Sequence, residues 1–86
     1  MSKKIYDAVI DLLEKRGPVP EGSEQERREY RYLDAGQLDS FNIIQFILEV
    51  EELFNITLTP EDTTSEQFRN VGGLIQIVED KLNAEL

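Results

Sequence analysis

The chain of 86 residues contains neither cysteine nor histidine. Without cysteine, neither disulfide bonds nor a zinc–thiolate site can supplement its hydrophobic core. Without histidine, it has no His-based triad, no His general base and no His metal ligand. We therefore do not expect an enzyme that carries its own nucleophile and base.

Long apolar runs are also missing. Nothing in the sequence approaches the roughly 18 consecutive apolar residues that a membrane-spanning helix needs. The two lysines near the start, Lys3 and Lys4, are not followed by an apolar stretch of signal-peptide length. We expect one cytoplasmic domain over residues 1–86, near the lower end of what folds with an ordinary core, and no membrane span.

Positive charge is absent from the middle of the chain. Residues 32–68 contain no Lys or Arg, so their eight acids carry −8 of the total net charge of −9: Asp34, Asp39, Glu49, Glu51, Glu52, Glu61, Asp62 and Glu66. Such a surface repels nucleic acid and attracts a basic protein partner at long range. An acidic surface kept for solubility explains the charge equally well.

The apolar residues that are present recur at helical spacing. This spacing predicts three longer helices, over residues 3–16, 40–54 and 71–84. A shorter helix is predicted over residues 64–69, opened by a capping box of Thr64 and Gln67. We therefore expect an all-α fold, a small helical bundle of three longer helices and one short helix with a long first loop.

The first connection, residues 17–39, is long for a compact domain. Ser23 and Glu26 match a capping box, which predicts a short surface helix inside it. We expect three residues of this loop to pin it to the bundle: Tyr30, Tyr32 and Leu33. In the later connection, over residues 55–63, Ile56 and Leu58 are expected to face inward.

The second predicted helix has two apolar faces. Its core face is formed by Ile43, Phe46, Ile47, Val50 and Phe54. A separate apolar stripe is formed by Phe41, Ile44 and Leu48, with Glu51 and Glu52 on its flanks and Glu49 further round. One apolar face is enough to fold a surface helix, so either the first loop covers the stripe or a partner docks on it. Carboxylates beside apolar contacts favour docking of a cationic partner.

Asp39 and Ser40 stand where this helix begins. Both are favoured N-cap residues, and helix capping is the commoner reason for such a pair. The surrounding sequence adds a second interpretation. The run Tyr-Leu-Asp-Ala-Gly-Gln-Leu-Asp-Ser-Phe at residues 32–41 resembles the approach segment of free-standing acyl carrier proteins. Residues 49–56 resemble the acidic end of that family's second helix, and residues 71–74 resemble the start of its last helix.

The resemblance implies a function for Ser40. In acyl carrier proteins an Asp-Ser-Leu-type motif carries 4′-phosphopantetheine on its serine, and here Phe41 replaces the usual Leu or Met. It implies that Ser40 is the attachment site, with Asp39 as its motif neighbour and coenzyme A as the source of the arm. The expected protein is a monomeric carrier, not an enzyme, that holds an acyl or aminoacyl group as a thioester.

The resemblance also implies partners: a phosphopantetheinyl transferase, a ligase that loads the cargo, and a downstream transferase or synthase. Asn42 and Gln45 stand where carriers of the fatty-acid type usually have acids. The Asp-x-Gly-x-Leu-Asp-Ser pattern is similar to carriers of aminoacyl groups as well, including D-alanyl carriers. We expect a dedicated pathway carrier, with fatty-acid, polyketide and nonribosomal-peptide synthesis all left open.

Other interpretations remain. An unmodified acidic adaptor uses the Phe41/Ile44/Leu48 stripe alone, and an acidic mimic of nucleic acid needs acids spread over the surface. An EF-hand is not supported, because residues 34–40 lack its ligand spacing and terminal Glu. Among the candidate cap serines, only Ser40 follows an Asp in this setting, so we predict modification there and not at Ser23 or Ser65.

Overall fold

The computed structural model describes residues 2–36 and 38–84, and for Ser2, Lys3, Ser40 and Ala84 it describes the backbone alone. This part of the chain is helical and contains no strand. Three of its α-helices are long: α1 (Ser2–Glu14), α3 (Ser40–Phe54) and α5 (Val71–Ala84). The short elements are α2 (Glu24–Arg28), α4 (Pro60–Thr64) and a 3-10 helix (Glu66–Arg69). The predicted all-α class is confirmed. No described helix is long and apolar enough to cross a membrane.

The bounds of the longer helices follow their sequence signals. α3 and α5 have the predicted bounds, and α1 ends at Glu14 instead of residue 16. The next two residues continue as a turn, in which the Arg16 N–H donates to the Leu13 carbonyl at 2.9 Å. α3 ends at Phe54 and is capped by Asn55, which adopts the left-handed conformation with φ 55° and donates its N–H to the Glu51 carbonyl.

The short helix predicted over residues 64–69 is present only in part, as the 3-10 helix Glu66–Arg69, and its Thr64/Gln67 capping box is wrong. α4 begins earlier, at Pro60, and ends at Thr64. Thr59 is its N-cap and exchanges two hydrogen bonds with Asp62 in a capping box. Proline at the first helical position is pre-organised for a helix start and has no N–H to leave unpaired. The helix therefore starts at the Thr59–Asp62 capping box. After α4, the chain forms a 3-10 helix that has no side-chain cap.

The long first loop is pinned to the bundle, as predicted. Ser23 and Glu26 form the expected capping box at the start of α2. Further on, the Tyr30 carbonyl accepts from the Val71 N–H at 3.1 Å. The Tyr32 ring is fully buried, and its hydroxyl donates to the Phe68 carbonyl. The second half of the loop is therefore part of the folded core.

The core lies between α1, α3 and α5 and is closed by the loop aromatics. The Tyr32 ring lies 5.7 Å from the Phe46 ring and 6.2 Å from the Phe68 ring, centroid to centroid. Both distances suit favourable aromatic contacts. Ile56 and Leu58 are buried, which confirms their predicted orientation. The same cluster includes Val9, Leu13, Val50, Val71, Leu74, Ile75 and Val78.

Candidate modification and docking site

The candidate site begins at the entry of α3. Asp39 has an extended backbone (φ −84°, ψ −179°), and its carboxylate accepts from the Asn42 N–H at 2.8 Å. Its carbonyl accepts the first helical hydrogen bond, from the Ile43 N–H at 2.9 Å. Asp39 is therefore the N-cap, and Ser40 is the first residue of the helix. The helix has a cap without the Ser40 hydroxyl, and the side chain of Ser40 lies outside the described part of the structure.

The two other candidate serines serve their own helices. The Ser23 hydroxyl accepts from the Glu26 N–H at 3.2 Å, which caps α2. The Ser65 hydroxyl donates to the Asp62 carbonyl at 2.7 Å, at the end of α4. Both hydroxyls are thus held by local backbone contacts. For α3 the cap comes from Asp39, the residue before Ser40.

The position of Ser40 suits an attached phosphate group. A helix N-terminus presents backbone N–H groups and the positive end of the helix dipole, which favour an anion. α3 is long enough, at 15 residues, for this effect to be fully developed. The residues on either side of Ser40, Asp39 and Phe41, are both exposed. The two neighbours of Ser40 are therefore accessible to solvent.

The apolar stripe next to Ser40 is exposed. Phe41, Ile44 and Leu48 keep 69%, 60% and 59% of their surface accessible. The first loop does not cover them, because its second half packs against the 3-10 helix and the start of α5. Large exposed apolar patches are a feature of interaction surfaces in other proteins. Their predicted exposure is confirmed.

The opposite, core-facing side of α3 is less uniform than predicted. Phe46 and Val50 are fully buried. Ile43, Ile47 and Phe54 are only partly buried, at the edges of the core face, although all five were expected inside. Leu53, which belongs to neither predicted face, is exposed at 54% on a side of α3 away from the stripe.

The three glutamates of α3 have different surroundings. Glu49 receives a two-pronged hydrogen bond from Arg16, at 3.0 and 3.1 Å, and Arg16 is only 11% exposed. This hydrogen bond lowers the pKa of Glu49 below its ordinary value. Glu51 accepts from the Leu58 N–H at 2.7 Å and so orders the turn after α3. Glu52 is exposed. Glu49 and Glu51, both predicted partner contacts, therefore have contacts within the chain.

Several other acids of the basic-free stretch pair with cations from outside it. Asp62 lies 2.7 Å from the Lys81 ammonium. Asp34 lies 2.5 Å from Arg31 and 2.6 Å from Arg69, and the hydrogen bond from Arg31 is the largest cause that lowers its pKa. Such pairs cancel charge locally, so the negative potential is left mainly to acids such as Asp39, Glu52 and Glu61. Two of these, Asp39 and Glu52, lie on or beside α3.

Two further features of the described residues are an open groove and the absence of a metal-ligand cluster. A groove of about 430 Å³ lies between α1 and α3, lined by Leu12, Lys15, Glu49, Glu52 and Leu53. It is at the C-terminal end of α3, away from Ser40. The described residues hold no cluster of three or more acidic ligands for a metal ion.

No protein-family model, curated protein or solved structure matches this chain.

Proposed function

We propose that this protein is a carrier that holds an acyl or aminoacyl group as a thioester on a 4′-phosphopantetheine arm attached to Ser40. One observation carries the proposal. Ser40 opens a long helix whose cap is supplied by Asp39, and it adjoins an exposed apolar stripe that folding does not require. The sequence resemblance to acyl carrier proteins supports the same assignment.

Attachment of the arm is a phosphoryl transfer that the chain undergoes and does not catalyse. The Ser40 oxygen bonds to the phosphorus nearer the pantetheine, and the pyrophosphate linkage of coenzyme A breaks. Adenosine 3′,5′-bisphosphate leaves, and the transferase accepts the hydroxyl proton. When bound, the arm supplies a thiol for thioester chemistry, which a chain without cysteine cannot provide itself. The protein contributes presentation and recognition.

Recognition is assigned to the apolar stripe and its acidic border. Phe41, Ile44 and Leu48 supply an apolar centre, and Glu52 and Asp39 supply negative charge beside it. Interfaces of this kind have an apolar core and a charged rim, and rim charges steer the encounter. A transferase, a loading ligase or a downstream synthase with an apolar cleft edged by Lys or Arg fits this surface.

Intact-mass spectrometry after incubation with coenzyme A and a broad-specificity phosphopantetheinyl transferase tests the proposal. We expect the wild type to gain the mass of one phosphopantetheine and Ser40→Ala to gain none. Ser40→Ala should stay folded, since Asp39 keeps the cap, and circular dichroism checks this. Ser23→Ala and Ser65→Ala are matched controls that should still be modified. Modification of Ser40→Ala, or none of the wild type, contradicts the assignment.

Exposure of the stripe also favours a second function, that of an unmodified helical adaptor. In that case the Phe41/Ile44/Leu48 stripe binds a cationic partner without any arm. The same mass experiment separates the two, because an adaptor gains no mass. Pull-down with the chain's own partners should then depend on Leu48 and not on Ser40.

A further inference from the structure

The segment that leads to Ser40 is fixed to the last part of the molecule by a continuous set of contacts. We call these contacts, between residues 28–34 and 66–72, the loop–helix seam. Gly72 lies so close to α2 that a Cβ there would be 3.2 Å from the Arg28 carbonyl oxygen. Further along, the Tyr30 carbonyl accepts a hydrogen bond from the Val71 N–H. The Tyr32 hydroxyl donates a hydrogen bond to the Phe68 carbonyl. The seam ends at Asp34.

Asp34 is held from two sides. Its Oδ2 accepts from Arg31 Nε at 2.5 Å, and its Oδ1 accepts from Arg69 Nη1 at 2.6 Å. Arg31 belongs to the loop and Arg69 to the 3-10 helix. Glu66 approaches both guanidinium groups, at 3.5 and 3.9 Å. Each carboxylate oxygen therefore has its own cation, one from the loop and one from the 3-10 helix.

Only a short span joins Asp34 to the cap of α3. Within it, Gly36 has φ 76°, and a Cβ there would have no heavy atom within 4 Å. Backbone hydrogen bonds close this turn, from the Ala35 N–H to the Arg31 carbonyl at 3.0 Å and from the Gly36 N–H to the Leu33 carbonyl at 3.2 Å. The far end is held by Leu38, which is buried at 7% exposure. On the other side, the hydrogen bond from Arg69 to the Asp34 carboxylate ties the turn to the 3-10 helix.

We propose that Asp34, clamped by Arg31 and Arg69, is a positioning residue that sets where α3 begins and so how Ser40 is presented to the modifying transferase. This inference rests on the proposed carrier function. Exposed ion pairs contribute little to stability. The clamp is therefore expected to affect the geometry of the helix entry more than the free energy of unfolding.

The test compares variants that loosen the clamp with one that breaks a similar pair elsewhere. Asp34→Asn raises the net charge from −9 to −8, and Arg69→Gln lowers it to −10. Lys81→Gln, the matched control, also lowers it to −10 but breaks the pair between α4 and α5. If the clamp acts through geometry, the first two variants change the readouts in the same direction despite their opposite charges.

Two readouts are measured under conditions where urea melts show every variant to be folded. The first is hydrogen exchange of the Asn42 amide, which the Asp39 cap protects. The second is kcat/KM for transfer from coenzyme A to Ser40. We expect both clamp variants to exchange faster and to lose about fivefold to tenfold in kcat/KM, less than the ~100-fold that a 1 Å misplacement can cost. Lys81→Gln should match the wild type in both.

The outcomes separate this inference from the carrier function. If the wild type is not modified, the carrier proposal fails, and the Asn42 exchange alone decides whether Asp34 sets the start of α3. If Asp34→Asn and Arg69→Gln change kcat/KM in opposite directions, long-range charge explains the effect and the positioning role is overturned. Unchanged Asn42 exchange in both clamp variants, or an unchanged kcat/KM in a chain that is modified, overturns it as well.

Discussion

The two faces of α3 use the same residue types for different purposes. Phe46 and Phe41 lie five positions apart on one helix, and the first is fully buried while the second is 69% exposed. Phe46 contacts Tyr32 in the core, whereas Phe41 adjoins Ser40. The difference separates the apolar side chains that the fold buries from those next to Ser40, for which we propose a partner.

The largest expected effect tests whether these faces are correctly assigned. Phe46→Ala removes a fully buried ring from the aromatic cluster and should lower the free energy of unfolding by about 3–5 kcal/mol. Phe41→Ala is the matched control and should change it by no more than ~0.5 kcal/mol, as exposed substitutions do. Urea denaturation measures both. If Phe41→Ala proves the more damaging change, the two faces have been exchanged.

A smaller effect tests the boundary between the faces. Glu49→Ala leaves the Arg16 guanidinium, which is 11% exposed, without its carboxylate, and this should cost about 1–3 kcal/mol. Glu52→Ala is the control on the exposed side, with an expected change within ~0.5 kcal/mol. Urea melts at neutral pH compare the two. Equal losses would show that Glu49 is no more structural than Glu52.

The Arg16–Glu49 pair also predicts a pH dependence. Since the folded protein holds the pKa of Glu49 below its ordinary value of 4.5, the unfolded chain binds this proton first as pH falls. The stabilisation is therefore complete above pH 4.5 and is lost as pH drops from there through the lowered native pKa. Melts of wild type and Glu49→Gln should converge over that acidic range. If the difference in the free energy of unfolding between the two proteins stays constant as pH falls, protonation of Glu49 does not cause the loss of stability.

The smallest expected effect concerns the charged border of the stripe. Glu52→Lys should slow association with a transferase more than it speeds dissociation, because exposed rim charges act mainly through steering. The difference should shrink near 1 M salt, where the Debye length is about 3 Å. Glu51 is unsuitable for this test, since its carboxylate orders the Leu58 N–H. Stopped-flow measurements give the association rate. If this rate changes neither with salt nor in Glu52→Lys, the acidic residues serve solubility and not docking.

Local signals in the sequence were enough to predict the longer helices and the exposed stripe. The bounds of α3 follow from Asp39 at its start and Asn55 at its end, both of which are visible in the sequence. The start of α4 was also predictable, because Thr59, Pro60 and Asp62 form a capping box with proline at the first position. Pro60 was instead interpreted as part of a connection.

Contacts between distant residues could not be predicted. Arg16 and Glu49 are separated by 33 positions, and Asp34 and Arg69 by 35. Periodicity places Glu49 on the surface of α3 but does not say which cation folds against it. For this reason Glu49 and Glu51 were both assigned to partner binding, while the structure gives each of them a contact within the chain.

The most direct test of the central claim, that the exposed stripe of α3 presents Ser40 to a partner, is the rate of Ser40 modification in two leucine variants. Leu48 and Leu53 are exposed to a similar degree, at 59% and 54%, but only Leu48 belongs to the stripe. With coenzyme A and the transferase, Leu48→Ala should lower kcat/KM while Leu53→Ala keeps the wild-type value, and both should melt like the wild type. Equal rates in the two variants, or a slower Leu53→Ala, would contradict the claim.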